Sequence, residues 1–296
     1  MKVKHLYTDG RGQFHEVNWE KPNITDDEIE VRAIMTGVCR SDIEMMQGNF
    51  GPLPIEMHGH EGLGQVTQIG KNIKDVAVGD YVATRGEPAY ADYYNSRHEE
   101  YVKVPSAEPK YILEPVACGI NVVSQNYDGI HQRRDGRIAI LGSGFLAQVA
   151  YQTLKLYSYN VDAVDVIGNH NKDQWPNLKQ ELDGLYDVII DLSSRTDYLN
   201  GEHINNNALI IFAVDKHIDI DVGPLLWKAC TISFPSPRTP KFYEAMVAAK
   251  TWIESGLLTV DTFWTTAYNR NTEWQKAFAD GLNRTAGYSR GYIKWD

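Results

Sequence analysis

The chain has 296 residues, 43% of them hydrophobic and 23% charged, enough to bury a core in one large or two ordinary domains and too apolar for a disordered or fibrous protein. Its 29 basic and 39 acidic residues leave a net charge of -10, the wrong sign for a phosphate backbone or an anionic membrane surface, so neither nucleic acid nor membrane is an expected partner. Three cysteines, Cys39, Cys118 and Cys230, exclude a disulfide framework. The N-terminal Met1-Lys2-Val3-Lys4-His5 has no signal-peptide stretch, and the longest apolar run, Ala208 to Val214, is too short to cross a bilayer. A cytoplasmic location is expected.

To about Pro105 the chain is glycine-rich, with short alternating segments such as Glu28 to Ile34 and Gly64 to Gly70 that read as half-buried strands. The polar, tyrosine-rich stretch Arg85 to Arg97 has no period and reads as a loop. A helix is expected to start near Glu114. From Arg137 the pattern becomes βα alternation, with strand Arg137 to Leu141, helix Phe145 to Tyr157, strand Val161 to Ile167, a helix around Trp175 to Leu182, and strand Tyr186 to Leu192. Strands at Leu209 to Val214 and Cys230 to Phe234 follow, then a helix from Lys241 to Ser255 stopped by Gly256, and a last strand at Gly291 to Trp295.

Gly142-Ser143-Gly144-Phe145-Leu146-Ala147, after the strand ending at Leu141, is a Gly-x-Gly-x-x-Ala turn into a helix. In a dinucleotide site Gly142 permits the tight turn, Gly144 lets a pyrophosphate approach the helix N-terminus, and Ala147 lets helix pack on strand. The motif alone also fits a βα turn that binds nothing. Asp165, about 20 residues on, suits a ribose-binding carboxylate and inclines the cofactor towards NAD over NADP, although a strand-end turn residue is the alternative. Cys39 and His60 are both good zinc ligands, yet a lone Cys is as readily a small buried hydrophobe and a lone His a packed side chain.

Gly37-Val38-Cys39-Arg40-Ser41-Asp42, Gly59-His60-Glu61-Gly62-Leu63-Gly64-Gln65-Val66, Val78-Gly79-Asp80-Tyr81-Val82 and Glu99-Glu100-Tyr101-Val102-Lys103-Val104-Pro105 follow one another in that order. With the Gly142 to Ala147 turn and Tyr186 to Asp191, this series resembles the zinc-dependent medium-chain alcohol and polyol dehydrogenases over nearly the whole chain. The resemblance implies an α/β protein: a GroES-like β-rich catalytic domain, residues 1–122 and 259–296, split around a Rossmann-type doubly wound nucleotide-binding domain, residues 123–258.

It further implies one catalytic zinc per chain, with Cys39, His60 and Glu114 as ligands. Glu114 lies in Leu113-Glu114-Pro115, as in the polyol and sugar dehydrogenase branch that includes glucose and sorbitol dehydrogenases. Cys118 is a rival third ligand if the register slips by a helical turn, and otherwise falls near the nicotinamide. Ser41 and Glu44 match the relay that takes the hydroxyl proton, although Glu44 also fits a substrate hydroxyl or plain solvation. Glu61 matches a carboxylate beside the metal, and Arg290 falls near the pyrophosphate. His58, two residues before His60, is a structural neighbour, and Cys230 belongs to the core. The implied reaction is hydride transfer between an alcohol, polyol or sugar hydroxyl and NAD or NADP, in a homodimer paired through the edge near Cys230 to Phe234. The alternatives are a zinc-free quinone or enone reductase on the same fold and a non-catalytic nucleotide-binding protein.

Two departures are visible. No cysteines for a structural zinc occur between Arg85 and Arg97, which makes this a compact variant. Only about twenty residues separate Asp165 from Asp187, too few for a helix, a third strand and another helix, so one βα unit is expected to be missing.

Overall fold

The structure is a computed structural model that describes residues 1–169, 172, 175, 178–193, 195–214, 219–284 and 287–295. The chain divides into two compact units, one formed by Met1–Val116 with Met246–Asp296 and the other by Ala117–Ala245.

The first unit opens with an antiparallel pair, β1 (Lys2–Thr8) and β2 (Phe14–Glu20). It continues through β3 (Glu28–Gly37), α1 (Arg40–Met46), β4 (Glu61–Ile69), β5 (Tyr81–Arg85), β6 (Tyr93–Arg97) and β7 (Tyr101–Val104), and α2 (Glu114–Ser124) starts within it. The segment expected to be a loop therefore contains β6, which pairs antiparallel with β3. Tyr94 and Ser96 face inward while Tyr93, Asn95 and Arg97 lie on the other face, an alternation too short to stand out in the sequence.

In the second unit α3 (Tyr127–His131) precedes β8 (Ile138–Leu141), α4 (Phe145–Leu156), β9 (Val164–Ile167), β10 (Leu178–Lys179), β11 (Tyr186–Asp191), β12 (Ile204–Phe212), α5 (Gly223–Trp227) and β13 (Thr231–Ser233), and α6 (Phe242–Glu254) starts here. These strands form a parallel sheet in the order β10-β9-β8-β11-β12-β13, the doubly wound order of a dinucleotide-binding domain. All four residues of β8 are buried, as a central parallel strand with both faces covered requires.

Two expectations are corrected here. The βα unit is trimmed rather than lost, because its strand survives as the two residues of β10 at the sheet edge. Nor does a helix span Trp175 to Leu182, since Leu178 and Lys179 are extended and Trp175 is not helical. Residues 176 and 177 of that stretch lie outside the described residues.

The chain returns to the first unit with β14 (Trp264–Asn269), α7 (Trp274–Asn283) and β15 (Arg290–Lys294). The order β14-β15-β3-β4-β5-β7 makes a mostly antiparallel sheet. Its core is aromatic: Phe14 and Phe278 stack at 3.7 Å between centroids, and Tyr90 meets both edge-on. Among the described residues no helix is long and apolar enough to cross a membrane.

Candidate metal and nucleotide sites

Strand register assembles the first site. In the β3–β4 ladder Thr36 faces Gly62, so the end of β3 lies against the start of β4 and brings Cys39 towards His60 and Glu61. On the other side of β3, Gly37 faces Tyr292 and the Val38 amide donates to the Gly291 carbonyl at 3.0 Å, which delivers Arg290 to the same end. Gly37 is required by this convergence: a Cβ there would fall 2.0 Å from Glu61 Oε2.

Cys39 is the N-cap of α1, and its amide donates to Asp42 Oδ2 at 2.8 Å, the backward half of a capping box. Asp42 is thereby buried, with Oδ1 3.7 Å from His60 Nδ1. His60 Nε2 lies on the other side of the ring, 3.4 Å from Ser41 Oγ. Side-chain donor atoms of Cys39, His60 and Glu61 all lie within 4.8 Å of one another. Glu114, buried at the start of α2, stands outside that group but close enough for its charge to act on His60.

The electrostatics favour a cation. Burial opposes a charged imidazole, yet Asp42, Cys39 and Glu114 outweigh it and raise the His60 pKa well above its ordinary value. Burial pushes the Asp42 carboxyl upward, against the pull of His60, the Cys39 amide and Tyr90. A thiol, an imidazole and a carboxylate with donor atoms within 4.8 Å of one another form a donor set suited to zinc, so the residues present fit that ion.

Two of the expected site residues have defined partners. Arg290 donates through Nη2 to both oxygens of the fully buried Glu61 and lies over the Trp264 ring, so its chain position makes it the counter-ion of Glu61 at this site. Glu44, on α1, accepts from Arg40 Nε at 2.6 Å and from Asn49 Nδ2, and is neither bare nor simply solvated. His58 is buried with Nδ1 3.0 Å from the Ile55 carbonyl, and meets His5, Tyr7 and Phe14 edge-on. Sequence reasoning assigned no role to Asp42, although its spacing from Cys39 is a capping-box signal, and none to Tyr90, which carried no local signal.

In the second unit Gly142 takes φ 111 and Gly144 is the N-cap of α4. A Cβ on Gly144 would meet nothing within 4 Å, so the space above the helix start is open. Phe145 and Ala147 are buried, and Leu146 is half-buried. Trp175 donates its indole N–H to the Ser143 carbonyl at 3.0 Å and packs edge-on against Tyr151 of α4. The trimmed segment thus puts a tryptophan against the glycine turn. Cys118 lies half-buried on α2, and Cys230 is half-buried before β13.

Asp165 is corrected. It is paired with Ala139 in mid-sheet, two residues before the strand end beside the glycine turn. Its carboxylate accepts from Arg137 Nη2 at 2.6 Å, Lys179 Nζ at 2.9 Å and the Tyr186 hydroxyl at 2.9 Å. Burial opposes its charge, but these donors win and hold its pKa below the usual range. A carboxylate so bonded braces neighbouring strands.

Residues 25–151 match the family model described as the alcohol dehydrogenase GroES-like domain. Over 94% of this chain and 93% of the relative, the sequence is 25% identical to D-arabitol-phosphate dehydrogenase of Enterococcus avium. Both are similarities to alcohol and polyol dehydrogenases. Among solved structures, a short chain alcohol dehydrogenase from E. coli CFT073 complexed with NADH superposes with a TM-score of 0.80 at 16% identity, covering 99% of each chain. TarJ of S. aureus in complex with NADPH gives 0.74 at 15% identity over 100% of each chain. Both share the fold seen here, a GroES-like unit with a Rossmann-type sheet.

Proposed function

We propose that this protein is a zinc-dependent oxidoreductase that moves a hydride between an alcohol, polyol or sugar hydroxyl and a nicotinamide cofactor. The observation that carries the reading is the convergence of Cys39, His60 and Glu61 donor atoms within 4.8 Å, with Glu114 acting on the same imidazole. Relatives named polyol and alcohol dehydrogenases, and structural neighbours solved with NADH or NADPH, support the substrate class and the cofactor.

Cys39 and His60 Nε2 would hold the ion, because His60 Nδ1 faces Asp42. The third donor is a carboxylate. Both Glu61 oxygens are engaged by Arg290, so the third ligand proposed is Glu114, as the resemblance implies, with Glu61 as a nearby anion restrained by its arginine. Bound zinc supplies a Lewis acid that makes an alcohol hydroxyl far more acidic, and the nicotinamide accepts the hydride. The chain's own part is to position and to move a proton. Asp42, 3.7 Å from Nδ1, backs the His60 ring with its charge, and Ser41, beside Nε2, relays the hydroxyl proton by accepting it as it gives up its own. Glu44, held by Arg40 and Asn49, is the next acceptor outward or a partner for a second substrate hydroxyl.

Gly142, Gly144, Phe145, Leu146 and Ala147 would seat the pyrophosphate at the start of α4. The absence of the structural-zinc cysteines and the trimmed edge of the nucleotide sheet fit a compact member of the polyol and sugar branch. The split catalytic domain around a nucleotide domain and a cytoplasmic location belong to the same reading. A homodimer is proposed through the β13 edge, where Leu226, Trp227 and Phe234 are exposed at 75%, 88% and 70%.

The test is metal content after purification without chelators, with a panel of alcohols, polyols and aldoses assayed against NAD and NADP. One zinc per chain and a signal at the nicotinamide band are expected, both lost in Cys39→Ser. Turnover that survives Cys39→Ser without metal would replace this reading by the zinc-free reductase.

A further inference from the structure

We propose that Tyr90 is a positioning residue for the metal site, its hydroxyl locking the Asp42 carboxylate that backs His60. The inference rests on the metal reading above and concerns a residue outside the ligand set. Tyr90 is fully buried, with its hydroxyl 2.7 Å from Asp42 Oδ2 and 3.1 Å from the Gly37 carbonyl. A phenol has one proton, and the nearer, charged acceptor takes it. Asp42 Oδ2 already accepts from the Cys39 amide at 2.8 Å. Two donors on one oxygen fix the rotation of the carboxylate and leave Oδ1 aimed at His60 Nδ1, 3.7 Å away. The same oxygen thus ties the backbone of one ligand to the ring orientation of the other.

The chain is built to hold the phenol there. The Ala89 amide donates to the Gly59 carbonyl at 2.9 Å, the Tyr90 amide to the His58 carbonyl at 3.4 Å, and Thr36 Oγ1 to the Ala89 carbonyl at 2.9 Å. Gly59 has φ +80, and a Cβ on it would fall 2.5 Å from both Tyr90 N and Cγ. That glycine before His60 therefore serves the close approach of residue 90 as well as its own turn. Tyr90 comes from the segment Arg85 to Arg97, which thereby contributes to the proposed metal site. Its ring packs edge-on against Phe14 and Phe278, and Tyr90→Phe keeps that packing while removing only the donor.

The experiment is zinc affinity of the full chain, measured by competition with a chromophoric chelator, together with the visible spectrum of the cobalt-substituted protein. Residues that orient metal ligands change affinity by about 10–100-fold. Tyr90 acts through Asp42, so Tyr90→Phe is expected at the lower end, a loss of about tenfold with a shifted cobalt band. In an Asp42→Asn background the same substitution is expected to add less than about twofold, because the charged acceptor is gone. Para-aminophenylalanine at position 90, which keeps a donor, is expected to bind within about threefold of the parent and covers the case in which Tyr90→Phe does not fold. Parent and Tyr90→Phe binding zinc equally, the full tenfold loss persisting on Asp42→Asn, or the amino analogue failing to bind like the parent each overturns the role of Tyr90. A parent chain that binds no zinc overturns the metal reading itself.

Discussion

Replacing His5 by asparagine should remove a defined part of the protein's acid sensitivity. His5 has no exposed surface, its Nδ1 lies 2.8 Å from the Leu6 carbonyl, and its Nε2 has no hydrogen-bond partner among the described residues. Burial is the main reason its pKa falls from 6.5 to about 3; the Leu6 carbonyl opposes that fall, and His58 and Arg270 add to it. The native imidazole is therefore neutral between those two values, whereas the unfolded chain takes up a proton as pH drops below 6.5. The unfolded state binds the extra proton, so stability is present above the unfolded pKa and is lost as pH falls through 6.5 towards 3. At pH 5 the unfolded imidazole is protonated by a margin of about 1.5 pH units, which at about 1.36 kcal/mol per unit costs about 2 kcal/mol. Asparagine keeps a donor for the Leu6 carbonyl and does not titrate. Urea unfolding of parent and His5→Asn at pH 7.5 and 5, followed by the fluorescence of Trp19, which meets His5 edge-on at 5.5 Å, should show the parent losing about 2 kcal/mol more than the variant. A cavity left by the smaller residue shifts both pH values alike and cancels. Losses that agree within about 0.5 kcal/mol would refute a buried neutral His5.

Arg290→Met should destabilise the first unit by about 3–5 kcal/mol, because it strands the buried Glu61 carboxylate; denaturant midpoints should recover in part in Glu61→Met/Arg290→Met, and no recovery would mean that Arg290 acts elsewhere. Asp165→Asn should cost about 1 kcal/mol, a modest figure because Arg137 is 40% exposed, and should leave the ratio of NAD to NADP affinity unchanged. A tenfold swing towards NADP would restore Asp165 to the ribose. Trp175→Phe should weaken nicotinamide binding by about 0.5–1.5 kcal/mol through loss of the bond to the Ser143 carbonyl, read by calorimetry against an unchanged zinc content.

Much of the fold was legible because its signals are local. The apolar run Ile138 to Leu141, the glycine turn and the apolar face of α4 lie within one stretch of chain, and Cys39 and Asp42 are three residues apart on one helical turn. Glu61 and Arg290 are 229 residues apart, and Tyr90 and Asp42 are 48 apart. Nothing local in either sequence neighbourhood announces the partner. The misread segments fail for a related reason. Strand β6 is held by its pairing with β3, and β10 by its pairing with β9, so the preference of these residues is set by a neighbour supplied from elsewhere. Asp165 had the right spacing for a ribose acceptor, but spacing along a strand does not say which end of the sheet a residue occupies, and the cross-strand register with Ala139 decides that.

The proposed metal site is better understood as a property of register than of motif. Side chains alternate along a strand, so slipping β4 by one residue against β3 would turn Glu61 away from Gly37 and carry His60 off its line to Asp42. Gly37 sets how near the strands come, since any side chain there would occupy the place of the Glu61 carboxylate. Arg290 reaches Glu61 from the third strand, beside the pairing of Gly37 with Tyr292. The donor atoms of Cys39, His60 and Glu61 come together through the pairing of β3 with β4, and β15 adds the counter-ion of Glu61 from the last part of the first unit's sequence. For that reason zinc affinity of the intact chain should report native pairing of these three strands as sensitively as it reports the identity of the ligands.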